Sequence, residues 1–181
     1  MVARLTSQIA GGTEFIVPMG ERADPQTVQF GNHVDTEPVG VLAWEATRIA
    51  SGIPRIGLDT DARTIPNEIG LYATHLDKGC YRGQETVARV HNLGRPPRRL
   101  TMLMLDGSDA ELPDPGASVI LEGRKVGQLG GVAMHHELGP VGLALLKRNV
   151  SVDAVPTVDG VAASQTILVD PEVGLHVRPQ L

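Results

Sequence analysis

The sequence predicts an α+β chain in two parts, a first part of mixed strands and helices and a second part of short antiparallel strands. Two stretches, 38–52 and 83–94, have the periodicity and end signals of helices. Pro96 and Pro97 then interrupt the helical pattern, and short apolar runs separated by Gly, Pro and Asp follow them. We therefore predict a boundary that divides the chain into residues 1–96 and residues 97–181.

The first part opens with GGTEFIVP at 11–18, an alternating run between a glycine turn and a proline, which is typical of a short strand. The stretch EPVGVLAWEATRIASG predicts a helix, with Pro38 at its first position and Gly52 just beyond its end. The predicted buried stripe of this helix consists of Val39, Leu42, Ala46 and Ile49.

The rest of the first part combines turns with a second helix. Prolines and the Asp59/Asp61 pair in IPRIGLDTDARTIPNEIGL indicate turns rather than a continuous element. From Gly83, GQETVARVHNLG predicts a helix with Glu85 in its first turn and Gly94 as its terminator.

The second part has the pattern of a small antiparallel barrel or sandwich. EGRK at 122–125 predicts the clearest hairpin turn, and GQLGG at 127–131 predicts a bend or bulge within a strand. The predicted strands lie within LTMLMLDG, ASVILEG, KVGQLGGVAM, PVGLALLKR and SQTILVD.

Composition excludes several functional classes. Sixteen basic and twenty-one acidic residues give a net charge of −5, and aromatic residues make up only 3%, which argues against a nucleic acid as the main partner. The single cysteine cannot form an internal disulfide, and the chain shows neither an export signal nor a membrane-spanning apolar run. We therefore expect a cytoplasmic protein with no membrane partner.

The stretch KGCYRGQE at 78–85 carries the most specific chemistry. Cys80 would lie just before the second helix, between Lys78 and Arg82. Unpaired backbone amides and nearby cations lower the pKa of a thiol from its usual value of about 8.5, so Cys80 is a candidate reactive thiol. The alternative is a small buried residue. However, Gly79 and Gly83 suggest a backbone that needs positive φ or close approach to a ligand.

This stretch resembles the signature of the YgfZ group of folate-binding proteins, which belongs to the superfamily of the glycine-cleavage aminomethyltransferase. The resemblance implies a partial aminomethyltransferase-like folate-binding domain followed by a small antiparallel β-barrel, with tetrahydrofolate as the cofactor. Arg82 stands where that family varies, and Cys80 favours YgfZ because the aminomethyltransferase lacks the cysteine. The characteristic positions filled here are Lys78, Gly79, Cys80, Tyr81, Gly83, Gln84 and Glu85.

The same resemblance implies roles for individual residues. Lys78 and Cys80 would be the catalytic or functional pair, while Tyr81, Gln84 and Glu85 would contact folate. Outside the motif, Glu14 would bind the pterin through its carboxylate, with a solvated strand glutamate as the alternative. Arg48 would contact the folate tail, with a surface ion pair to Glu45 as the alternative.

The function implied by the resemblance is support of iron–sulfur cluster assembly or repair, with iron–sulfur proteins or their assembly factors as partners. An aminomethyltransferase-like transfer of a one-carbon unit to tetrahydrofolate is the alternative, and an idle fragment or interaction domain is a third. Family members carry a long segment before the strand that holds Glu14, so we expect a fragment or a short relative.

The histidines and the arginines near the two prolines are not expected to bind a ligand. A dedicated metal site is not expected, because His135 and His136 would point to opposite faces of a strand and the other histidines lack ligand spacing. Arg95, Arg98 and Arg99 are expected to form a solvated basic linker, with a contact to phosphate or to the folate tail as the alternative.

Overall fold

A closed antiparallel barrel of six strands forms the second part of the molecule. The computed structural model describes residues 3–6, 13–16, 39–71, 79–93, 95–107 and 111–172. Around the barrel the strands follow the order β3, β6, β5, β4, β7, β8, and β8 closes against β3. These strands are β3 (Arg98–Leu105), β4 (Ser118–Leu121), β5 (Arg124–His135), β6 (Gly139–Lys147), β7 (Thr157–Val158) and β8 (Val161–Ile167).

The elements before the barrel are short. Strands β1 (Ala3–Thr6) and β2 (Thr13–Ile16) pair antiparallel, helix α1 spans Val41–Ala50, a 3₁₀ helix spans Pro66–Ile69, and helix α2 spans Gln84–Leu93. No helix in these described ranges is long and apolar enough to cross a membrane. The mixed α/β composition and the barrel are thus confirmed, whereas the aminomethyltransferase-like character of the first part and the boundary at 96/97 stay predictions.

Strands β3 and β6 carry apolar residues on both faces, and both faces are buried. On β3, Leu100 and Met102 belong to a cluster that also contains Ala46 and Ile49 of α1. The intervening Leu103 belongs to a second cluster that contains Val119, Leu129 and Val158 of other strands. Since successive side chains of a strand point to opposite faces, one face packs inside the barrel and the other packs beneath α1.

Two turn predictions for the barrel are confirmed. Leu121 pairs with Arg124 across a two-residue turn in which Glu122 and Gly123 both have positive φ, 50° and 74°, as a tight hairpin of this type requires. The pairing of β5 with β6 shifts register between Leu129 and Val132, so GQLGG contains an irregularity of the bulge type.

Other predictions are wrong in detail. Val39 and Leu42 are 74% and 79% exposed, because α1 begins only at Val41 and contacts the barrel through its second half. The strand predicted within SQTILVD begins earlier, at Val161, and ends at Ile167. Strand β7 was not predicted, since two residues are too few to show a period.

The basic stretch after the prolines is not a solvated linker. Arg99 is fully buried and donates hydrogen bonds to the Thr101 hydroxyl, the Val150 carbonyl and the Gln165 side chain. Burial lowers the pKa of this guanidinium. Arg95 forms a surface ion pair with Glu172 at 3.0 Å, so neither arginine is free in solvent.

Helix α1 is anchored to the barrel by a buried ion pair. Arg48 Nη1 lies 2.8 Å from Asp59 Oδ2, and the two side chains are 5% and 0% exposed. Asp59 also accepts the Gly131 N–H of β5 at 2.6 Å and the Arg55 N–H at 2.7 Å. A side chain at Gly131 would place its Cβ 2.6 Å from Arg48 Nη2 and would displace the buried guanidinium.

We expect Asp59→Ala to lower the free energy of unfolding by about 3 kcal/mol, because it removes one of the two carboxylates that bind the buried Arg48 guanidinium and leaves the Gly131 and Arg55 N–H groups without their acceptor. Urea unfolding monitored by circular dichroism measures the change. Asp153→Ala, at an exposed aspartate, is the control and should stay within about 0.5 kcal/mol of the parent. Equal losses in both variants would contradict a central role for the buried pair.

Candidate functional site

The KGCYRGQE stretch leads into helix α2, as predicted. Gly83 has φ of 80° and α2 begins at the next residue, Gln84. The Gln84 N–H donates to the Tyr81 carbonyl at 3.2 Å, and the Val87 N–H donates to the Gly83 carbonyl at 3.1 Å. Positive φ is therefore confirmed at Gly83, while Gly79 does not have it.

Cys80 is exposed. The alternative of a small buried structural thiol is therefore wrong. Cys80 stands four positions before the first residue of α2.

A cleft of about 840 Å³ lies beside the motif. One wall is Tyr81, Arg82 and Gly83 together with the first turns of α2, and the other is the segment 62–66 with Leu71. None of its lining residues is acidic, whereas Arg63 and Arg82 supply two cations. The cleft thus combines apolar walls with positive charge and hydroxyl groups.

The wall opposite the motif is held by carboxylates. Asp61 Oδ1 accepts the Arg63 N–H and the Thr64 hydroxyl, both at 2.9 Å. Glu68, which is fully buried, accepts the Ile65 N–H at 3.1 Å. These bonds fix the turn that carries Arg63 and Thr64 to the cleft.

Arg98 of β3 joins this wall to the barrel. Its guanidinium lies 2.8 Å from Glu68 Oε2 and 2.7 Å from Asp61 Oδ2. The hydrogen bond from Arg98 is the main reason that the pKa of Asp61 lies well below its usual range. Hydrogen bonds to Glu68 and then to Asp61 raise the pKa of Arg98, so Asp61 and Arg98 both stay charged at neutral pH.

The structure brings only some of the predicted site residues to this cleft. Tyr81 lines it; Gln84 is half-buried and Glu85 is exposed in the first turn of α2. Lys78 lies outside the described residues. Glu14 lies in β2, where it pairs with Leu5 of β1. Their roles toward folate stay predictions.

Arg48 does not line the cleft. Its guanidinium binds Glu45 Oε2 at 2.7 Å as well as Asp59, so the predicted ion pair with Glu45 is present but is buried rather than on the surface. Burial alone would raise the pKa of Glu45, but Arg48 and then Arg55 outweigh it and lower that pKa. The contact of Arg48 with a folate tail remains a prediction.

The histidine pair differs from the expectation. Strand β5 ends at His135, and the rings of His135 and His136 lie 4.4 Å apart instead of on opposite faces. His135 Nδ1 accepts the Glu137 and Leu138 N–H groups, both at 3.2 Å. Within the part of the chain that the structure describes, no group of three or more His, Cys, Asp or Glu residues could hold a metal ion.

Comparison with known proteins gives relatives at moderate identity. No family model matches the chain. A chloroplastic protein of Arabidopsis thaliana that is named a putative transferase is 37% identical over 93 residues, which cover 51% of this chain and 21% of that protein.

Two bacterial relatives carry the name tRNA-modifying protein YgfZ. The protein of Colwellia psychrerythraea is 36% identical over 80 residues, covering 42% of this chain and 24% of the relative. That of Escherichia coli K12 is 37% identical over 82 residues, covering 44% and 24%. The matched part thus spans less than a quarter of each relative. The activities of those whole proteins can therefore only be proposed for this chain.

We expect Gly83→Ala to lower the free energy of unfolding by about 1–2 kcal/mol, because an L side chain disfavours the left-handed conformation at the start of α2. Thermal unfolding measures it. Gly79→Ala is the matched control: no atom lies within 4 Å of the added methyl group and φ is not positive. A loss at Gly79 as large as that at Gly83 would contradict the role of backbone conformation.

Proposed function

We propose that this chain is a YgfZ-type protein, to which it is similar over the matched part of its length, and that it binds tetrahydrofolate and supports iron–sulfur cluster assembly or repair through Cys80. The observation that carries the proposal is the exposed Cys80 immediately before Tyr81, Arg82 and Gly83 of the cleft wall. A ligand in the cleft and a partner at the thiol would then meet at one stretch of chain.

The chemistry of the cleft supports a flat ligand that carries negative charge. Its volume falls in the range of small-molecule sites, which combine apolar walls with a few polar groups. The Tyr81 ring and the side chains of Ile65 and Val87 offer apolar contact to a heteroaromatic ring, and Arg63 and Arg82 offer charge-assisted hydrogen bonds to a carboxylate. Tetrahydrofolate has both features.

The exposure of Cys80 supports a transient contact with a partner protein rather than permanent binding of an iron–sulfur cluster. A thiolate is a nucleophile and a soft metal ligand. One cysteine cannot hold an iron–sulfur cluster by itself, since clusters need about four protein ligands. Cys80 would therefore act on a partner protein as a transient metal ligand.

A second candidate is one-carbon transfer to tetrahydrofolate, which the transferase name of the plant relative favours. This reaction would need the folate site but not the Cys80 thiol. The names of the bacterial relatives instead refer to tRNA modification. With a net charge of −5, an indirect role in such a process is a better proposal than direct tRNA binding.

We expect Tyr81→Ala to weaken tetrahydrofolate binding about fivefold to a hundredfold, because stacking on an aromatic side chain contributes about 1–3 kcal/mol. Isothermal titration calorimetry on the full chain measures the affinity. Trp44→Ala, at a half-exposed aromatic residue of α1, is the matched control and should bind like the parent. Equal affinity in parent and Tyr81→Ala, with both folded, would place the folate site elsewhere.

We expect Cys80→Ser to abolish support of iron–sulfur enzymes while leaving tetrahydrofolate affinity unchanged, because a hydroxyl is neither a soft ligand nor a comparable nucleophile. Complementation of cells that lack a YgfZ-type protein, read out as the activity of an iron–sulfur enzyme, measures the first effect. Ser118→Ala, on β4, serves as a control of similar size. Full complementation by Cys80→Ser together with folate-dependent one-carbon transfer would favour the transferase alternative.

A further inference from the structure

A second cavity, of about 490 Å³, lies at one end of the barrel between the segment 58–63 and strands β5 and β6. It is separate from the motif, and neither Cys80 nor Tyr81 lines it. Its apolar walls are Leu58, Val126, Leu129 and Leu145. The chemistry of this cavity comes from the charged groups at its rim.

Four cations line the cavity, and only one of them is matched by acidic groups. Arg98 binds Asp61 and Glu68, as described above. Arg63, Lys125 and Lys147 form no ion pair with a carboxylate within the described ranges. The cavity therefore carries excess positive charge although the whole chain is acidic.

The acidic groups that line the cavity do not offset this excess. Asp59 is paired with the Arg48 guanidinium and accepts two backbone N–H groups. Asp61 is paired with Arg98. Arg98 also faces Glu68, so one acidic charge remains unmatched, against three free cations at the rim.

The register of the barrel holds like charges together at this end. Lys147 of β6 is the direct cross-strand partner of Arg98 on β3. On its other side, the Lys147 ammonium donates to the Lys125 carbonyl of β5 at 3.0 Å. Like charges on neighbouring strands are destabilising. Asp61 and Glu68 offset the charge of Arg98, but no carboxylate in the described ranges pairs with Lys125 or Lys147.

The floor of the cavity is open backbone. Gly127 and Gly130 both line it. A side chain at Gly127 would meet Leu146 and the Leu145 carbonyl, and one at Gly130 would overlap Asp59. Glycine at these two positions therefore lets β5 pack closely against β6 and against Asp59 at the floor of the cavity.

We propose that this cavity binds an anionic small molecule, whose carboxylate or phosphate group lies among Arg63, Lys125 and Lys147 and whose apolar body rests on Leu58, Leu129 and Leu145. Its volume is that of a small-molecule site rather than of an extended polymer track. Flexible lysines suit a compact anion, which each can approach as a point charge.

The test is a titration of the full chain followed by the amide signals of Gly127, Gln128 and Gly130 in two-dimensional NMR. Three probes share an aromatic ring: phenyl phosphate, benzoate and neutral benzyl alcohol. We expect saturable shifts of these signals with an anion and not with the alcohol. Tighter binding of phenyl phosphate would assign the site to phosphorylated ligands, and tighter binding of benzoate to carboxylates.

Variants show whether the cavity cations are responsible. Lys125→Gln/Lys147→Gln should weaken binding of the preferred anion at least about tenfold, because two charge-assisted contacts are lost. Arg124→Gln removes an exposed neighbouring cation that does not line the cavity and should change affinity less than about twofold. Lys147→Gln alone serves if the double variant does not fold. Cys80→Ser should bind the probe as the parent does.

Three results would overturn the proposal. The first is an absence of saturable shifts at Gly127, Gln128 and Gly130 with either anion. The second is equal binding of benzyl alcohol, which would mean that charge plays no part. The third is an equal loss of affinity in Arg124→Gln and in the lysine variants, which would mean a diffuse effect of surface charge.

Discussion

The buried pair of Arg48 and Asp59 is the interaction on which the arrangement of the molecule depends. Few apolar residues of α1 are buried, namely Ala46 and Ile49, so hydrophobic contact alone fixes the helix weakly. The ion pair also fixes the position of the helix relative to β5, because Asp59 binds both the helix guanidinium and the Gly131 N–H of β5. Asp59 accepts three hydrogen bonds in the interior, from Arg48, the Arg55 N–H and the Gly131 N–H, and such additional bonds are the condition under which a buried pair is tolerated.

Much of the barrel could be predicted from sequence because its signals are local. The hairpin at 122–125 depends on two residues with positive φ, and the irregularity at 129–132 depends on adjacent glycines. The predictions that were wrong concern which face of helix α1 is buried. Leu42 has the spacing of a buried residue but is exposed, because burial depends on where the barrel lies and the helix period does not contain that information.

In the candidate site, too, local features could be predicted from sequence and long-range contacts could not. The exposed thiol and the left-handed Gly83 follow from one continuous motif, so the sequence predicts them well. The network of Arg98 with Asp61 and Glu68 joins residues 37 and 30 positions apart. Sequence spacing could not reveal it, and Arg98 was instead interpreted as part of a solvated linker. The Asp59/Asp61 pair was a usable signal, because two aspartates in a turn near several arginines predict ion pairs.

The segment 58–65 is the element that unites these observations. Asp59 ties it to α1 and β5, and Asp61 ties it to β3 through Arg98. Residues of this segment line both cavities, and Arg63 lines each of them. Because one guanidinium is shared, the positive charge available to a ligand in either cavity depends on the position of the same side chain. The nearby carboxylates Asp61 and Glu68 both bind Arg98, and Arg63 forms no ion pair with a carboxylate among the described residues.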